Sequence, residues 1–94
     1  MEARYAPLVL PRQLNSMPQD YHIRIPQFDG TSPITSQQHI DTMIGYSYMQ
    51  EVDEDDVKMR LFSQCLMGEV NKWFRGLPVT SIPYLTQFHQ TFLT

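Results

Sequence analysis

The stretch Val52-Asp53-Glu54-Asp55-Asp56-Val57-Lys58-Met59-Arg60-Leu61-Phe62-Ser63-Gln64-Cys65-Leu66-Met67-Gly68 decides the fold. Val57, Leu61, Phe62, Cys65 and Leu66 recur at the spacing of one helical face, so a 3.6-residue period buries them together. Acidic residues crowd the front of this run, where the positive end of a helix dipole favours them. Asp53 is expected to cap the helix, with Val52 and Val57 closing over the cap as a hydrophobic staple. Glu54–Lys58 and Asp56–Arg60 stand four residues apart with the acid first, the favourable order for ion pairs on a solvated face. Gly68 is expected to end the helix. A helix with one broad apolar face needs other elements to cover it, and its neighbours decide the class.

Towards the C-terminus, Val70, Trp73, Phe74 and Leu77 mark a short helix over residues 69–75, stopped by Gly76-Leu77-Pro78. Ile82-Pro83 is expected to open another, because proline tolerates the first helical turn. Leu85, Phe88 and Phe92 then repeat at i, i+3 and i+7, and the stripe is still running at Thr94, so a C-terminally truncated domain is expected. Towards the N-terminus, Thr35 with Gln38 matches a capping box, and Ile40, Met43, Ile44, Ser47 and Tyr48 form the stripe of the helix it starts. Gly45 weakens that helix by about 1 kcal/mol relative to alanine.

Ahead of the helices, Tyr21, Ile23 and Ile25 alternate like a strand, while Pro26 removes a backbone donor, so residues 21–34 are read as an extended segment. Phe28 anchors it, and Asp29-Gly30 and Ser32-Pro33 turn it. Residues 1–20, with Pro7, Pro11 and Pro18 among polar neighbours, are read as a flexible arm. The expected fold is therefore all-α: about four short helices over residues 35–94, preceded by an extended, partly disordered N-terminal arm. The expected core is Phe28, Ile40, Ile44, Val57, Leu61, Phe62, Leu66, Val70, Trp73, Phe74, Leu77 and Phe88, with Gly68 as a structural turn.

Composition narrows the function. Ninety-four residues make one small domain with a modest core. Net charge is −3 and the seven Lys and Arg residues are scattered, which argues against this segment alone gripping a phosphate backbone. A single cysteine permits neither an internal disulfide nor a multi-cysteine zinc site and fits a reduced, cytoplasmic setting. No apolar run approaches the ~20 residues that span a bilayer, and Pro7 and Pro11 interrupt the only apolar stretch near the start. A soluble protein without membrane contact is expected.

Several residues invite chemistry. The Asp53–Asp56 run lacks the alternating ligands, turn glycine and distal glutamate of a calcium loop, and reads as a solvated helix start. Cys65 could pair with His39 or His89 as a nucleophile, but it falls on an apolar helix face, where free cysteines act as small hydrophobes. His22, His39 and His89 have no metal-ligand spacing. Trp73 and Phe74 could stack bases, yet their spacing with Val70 and Leu77 is that of a core. No catalytic, cofactor-binding or metal-binding residue is assigned, and no cofactor is expected. The soft and amphipathic side chains are another matter: Tyr21, Ile23, Ile25, Met43, Tyr48, Met59, Met67 and Tyr84, with Tyr46 and Met49, exceed what a small bundle buries. Methionines and aromatics suit adaptable interfaces, so these residues are the candidate contact surface.

One ordered set of short pieces goes further: Ile25-Pro26-Gln27-Phe28-Asp29-Gly30, Asp55-Asp56-Val57-Lys58-Met59-Arg60-Leu61-Phe62, Leu66-Met67-Gly68-Glu69-Val70, Lys72-Trp73-Phe74, Leu77-Pro78, Ser81-Ile82, Phe88 and Phe92-Leu93. Over residues 23–94 this set resembles the Gag protein of gypsy-type long-terminal-repeat retrotransposons. The resemblance implies a capsid-like helical lobe whose copies associate, so the expected partners are other copies of the chain or other Gag chains. It also implies that Gly68, Trp73 and Phe74 belong to the core. A monomeric domesticated module that docks a short peptide, with Tyr21 to Phe28 beside its groove, is the second reading; a Gag fragment with no function of its own is a third, and RNA binding has the weakest support.

Overall fold

The computed structural model describes residues 5–31 and 33–93, and the features expected of residues 1–4, Ser32 and Thr94 lie outside them. Five helices follow in order: α1 Tyr21–Arg24, α2 Ser36–Met49, α3 Asp55–Gln64, α4 Gly68–Arg75 and α5 Leu85–Leu93. Among the described residues there are no strands, only two isolated parallel bridges, Leu8 with Ile82 and Phe28 with Leu66. The all-α expectation is met.

The apolar face of α3 is the centre of the molecule. Val57, Leu61, Phe62, Cys65 and Leu66 are all fully buried, as their spacing requires. Phe62 joins α3 to α5, with its ring centroid 4.7 Å from Phe88 and 5.2 Å from Phe92, both edge-on. Phe74 of α4 stacks on Phe88 at 5.4 Å, and Phe28 meets Phe92 edge-on at 5.4 Å. Such offset and edge-on contacts add about 0.5–1.5 kcal/mol per pair beyond area burial. Val70, Trp73 and Leu77, expected in the core, are half-buried and pack against it from α4 and the turn that follows.

Two local expectations hold closely. Thr35 and Gln38 form both halves of the capping box: Gln38 N–H donates to Thr35 Oγ1 at 3.1 Å, and Thr35 N–H to Gln38 Oε1 at 2.8 Å. Gly68 keeps its role as a structural turn, with φ of +56° in the left-handed region that a side chain disfavours, but it opens α4; α3 already ends at Gln64 with Cys65 as its cap. Phe28, the expected anchor, is threaded beside that turn. Its N–H donates to the Cys65 carbonyl and its carbonyl accepts from Met67 N–H, both at 2.9 Å.

Other expectations need correction. Residues 21–24 form a helical turn, not an extended segment: Asp20 takes a left-handed conformation and Ile25 N–H returns to the Tyr21 carbonyl at 3.0 Å. Only at Ile25, φ −65° and ψ 129°, does the chain extend, because the residue before a proline is pushed out of the helical region. Ile23 and Ile25 consequently face different ways, the first exposed and the second buried. The cap of α3 is Glu54, without a side-chain hydrogen bond, instead of Asp53, which shifts Val52 and Val57 out of staple register although both are buried. Ile44, expected in the core, is 54% exposed. The buried stripe of α2 is His39, Ile40, Met43 and Ser47, and at about 100° per residue Ile44 and Tyr48 fall on its flank. Helix α5 starts at Leu85, since Ile82 is held in the bridge to Leu8.

Of the stretch read as a flexible arm, the described residues 5–20 have no strand and no helix beyond a tight turn at residues 5–7, yet part of it is packed. Tyr5, Pro7 and Leu8 are buried, and the backbone of Ala6, Pro7 and Val9 bonds that of Thr80 and Ile82 at 2.8–2.9 Å. The composition hid this. Its prolines are compatible with an extended chain that another segment can pair with, and such pairing has no sequence period.

Candidate functional site

The exposed apolar side chains of α2 begin the site. Its buried stripe turns inward, leaving Ile44, Tyr48 and Met49 outside at 54%, 83% and 77% exposure. The helix then ends in a Schellman turn: Val52 N–H donates to the Ser47 carbonyl and Glu51 N–H to the Tyr48 carbonyl, both at 3.0 Å, with Glu51 at φ +57°. This turn carries the chain across the end of α2 into α3 and opens a groove of about 860 Å³ between α2, the turn and α5. Its apolar wall includes Ile44, Tyr48, Met49, Val52 and Leu85, and its floor reaches Met43 and Phe62. Glu51, Asp53 and Lys58 supply charge at its edge.

His89 of α5 also lines the groove, with its ring 5.2 Å from Phe62. Burial lowers its pKa from the usual 6.5, because the low-dielectric surroundings disfavour the imidazolium. At neutral pH the groove therefore offers apolar surface and one neutral imidazole, edged by the charges of Glu51, Asp53 and Lys58.

The candidate interface residues divide. Tyr48, Ile23 and Tyr84 are exposed, the last two far from full burial at 68% and 69%, while Tyr21 and Met67 are half-buried. Ile25, Met43 and Met59 are buried and are withdrawn from the contact surface; they fill the core, as flexible methionine side chains do in irregular gaps. Tyr46 is half-buried and donates its hydroxyl to the Tyr21 carbonyl at 3.2 Å. Its pKa is raised, by burial and then by the neighbouring Tyr21. Sequence reasoning missed Leu85, Val52 and His89 as one surface with Ile44 and Tyr48, because no spacing within one helix connects them.

The structure brings Cys65 and His39 together: Nε2 lies 3.0 Å from Sγ, and Sγ–H donates to the Phe62 carbonyl at 2.8 Å. The pair is sealed. Cys65 is fully buried, His39 stacks on Phe28 at 4.8 Å, and burial pushes the thiol pKa up and the imidazole pKa down. Both groups are neutral, so no thiolate is generated. His89, like His39, packs against the Phe62 ring, at 5.2 Å.

Asp56 and Arg60 are buried, not on a solvated face as their spacing suggested. Arg60 Nη2 pairs with Asp56 Oδ2 at 2.9 Å. Asn15 completes the cluster: its N–H donates to Asp56 Oδ2 at 2.9 Å, its side-chain amide to Oδ1 at 2.7 Å, and its carbonyl accepts from Arg60 Nη2. Burial works against the carboxylate, but the Asn15 bonds and the Arg60 guanidinium outweigh it and hold the Asp56 pKa below the usual 3.8. Asp53, Glu54 and Asp55 remain exposed. Among the described residues no group of three or more His, Cys, Asp or Glu side chains is placed to hold a metal ion, and no helix is long and apolar enough to cross a membrane.

No family model matches the chain, and neither a curated protein nor a solved structure matches it.

Proposed function

We propose that this chain is a structural, capsid-like assembly lobe of the retrotransposon Gag type, acting by self-association and carrying out no catalysis. The observation that supports the reading is the apolar groove on the α2 flank, where Ile44, Tyr48 and Met49 stand exposed beside Val52 and Leu85. Large apolar side chains gathered at one surface lose free energy to water and gain it against a partner. The reading without catalysis is supported by the state of the one nucleophile candidate, since the Cys65 thiol is buried and held protonated by that burial.

Light scattering on the purified chain across a hundredfold concentration range tests this. Mass that rises with concentration, and that stays at one chain in an Ile44→Glu, Tyr48→Glu double variant with unchanged circular dichroism, is the expected result. A constant single-chain mass for the unaltered protein overturns it. The second reading, a monomeric module that docks a short peptide beside Tyr21 to Phe28, is distinguished by that constant mass; none of those residues lines the α2–α5 groove.

A further inference from the structure

Met67, one of the candidate contact residues, lies outside the α2–α5 groove and lines a second hollow of about 280 Å³ where α3 gives way to α4. The two backbone bonds that thread Phe28 between Cys65 and Met67 hold this junction. Leu66 and Met67 supply apolar surface to the hollow. Gln64 and Tyr5 also line it, and the Gln64 side-chain amide donates to the Tyr5 hydroxyl at 2.7 Å. Helix α4 adds Asn71 and Arg75, which stand one turn apart on the same face. Arg75 is the one charged residue in this lining among the described residues. The acid of its own helix, Glu69, is taken by Lys72 at 3.1 Å. Among the described residues neither the Arg75 nor the Asn71 side chain has a hydrogen-bond or ion-pair partner.

A guanidinium and a side-chain amide set against apolar carbon, with no carboxylate in the lining to neutralise them, complement an anion with an apolar body. The guanidinium fork matches a carboxylate through two parallel N–H donors. In the last residue of a peptide the carboxylate and the side chain leave the same carbon, so charge and apolar bulk arrive together. The volume lies at the small end for ligand sites and suits one residue, not a helix. We propose that this hollow binds the free C-terminal carboxylate of a peptide whose last residue is apolar. Arg75 pairs with the carboxylate, the Asn71 amide donates to it, and the side chain rests on Leu66 and Met67. The inference goes beyond the self-association reading and does not depend on the groove.

The test titrates the full isotope-labelled chain with acetyl-Ala-Ala-Leu bearing a free carboxylate and follows backbone amide spectra. Saturable shifts at Met67, Asn71 and Arg75 are the expected result. The same peptide with an amidated end, acetate, and an amidated acetyl-Ala-Ala-Glu are each expected to bind several-fold more weakly. Arg75→Gln, an exposed position whose exchange should leave the circular dichroism unchanged, is expected to weaken the free-carboxylate peptide several-fold. Absence of shifts at these residues, or equal binding of the amidated leucine peptide, overturns the proposal. Equal binding of acetate or of the glutamate peptide overturns it as well, since the carboxylate then needs no apolar neighbour. Undiminished binding by a folded Arg75→Gln removes the residue assigned to the carboxylate and has the same consequence. If that variant does not fold, the amidated and free peptides on the unaltered chain decide.

Discussion

Asp56 and Arg60 show how one pair of side chains ties distant parts of the sequence together. On a solvated face the pair would contribute a few tenths of a kcal/mol; buried, with the exposed Asn15 bonded over it, the loss of one partner leaves an unpaired charge. Arg60→Met is expected to destabilise the fold by roughly 3–5 kcal/mol, and Asp56→Leu with Arg60→Met by less, as measured by urea unfolding. Asp56 also sets an acid limit. Its folded pKa lies below 3.8, so the stabilisation it gives is present above that value and is lost as pH falls through the folded pKa. His39 and His89 act at milder pH. Burial lowers both below 6.5, so the unfolded chain binds protons first and stability declines as pH falls from 6.5 towards their folded values. The urea midpoint should therefore drop between pH 7 and pH 5, and His39→Gln should flatten that slope; an unchanged slope would count against the buried, neutral imidazole. Cys65 gives a simpler check. Thiol reagents should modify it only as fast as the protein unfolds, and rapid reaction under native conditions would contradict its sealing.

Among the elements, α2 carries the site, and its sequence signals are unevenly legible. Its start was readable because a capping box is a local pattern of two residues, Thr35 and Gln38. Its end was not: the left-handed position is Glu51, where glycine would be expected, while the helix's own glycine sits inside it at Gly45. Which apolar residues face inward was misjudged for a related reason. Ile40 and Met43 fit an inward stripe centred either way, and the placement of His39 against Phe62 of α3 and Phe92 of α5 centres it so that Ile44 is outside. Ser47 is on the expected stripe and is buried, whereas the polar His39 gave no hydrophobic signal of burial. Two substitutions test this picture with opposite signs. Thr35→Ala should cost about 1 kcal/mol by removing the cap. Gly45→Ala should add about 1 kcal/mol, because a Cβ there meets nothing within 4 Å. Thermal unfolding of both variants measures the difference.

At the scale of the whole molecule, the described chain has a radius of gyration of 12.4 Å and extents of 37 × 31 × 21 Å. Helical class and most of the α3–α5 core were legible, because Val57, Leu61, Phe62, Phe74 and Phe88 each obey a helical period. The contribution of the N-terminal stretch was not legible, since Leu8 meets Ile82 and Asn15 meets Asp56 across long separations that no local pattern encodes. The groove was half-legible: Tyr48 was singled out for its amphipathic ring, whereas Leu85, Val52 and His89 join it only through the packing of α5 and the α2–α3 turn. A fold that buries so much of its apolar content and still leaves Ile44, Tyr48 and Met49 together in water is expected to cover them with another copy. Backbone amide spectra of the isotope-labelled chain, recorded as its concentration is raised, test that claim most directly. The account predicts progressive shifts at Ile44, Tyr48, Met49, Val52, Leu85 and His89. Spectra that do not change with concentration, or that change only at residues remote from this groove, would contradict it.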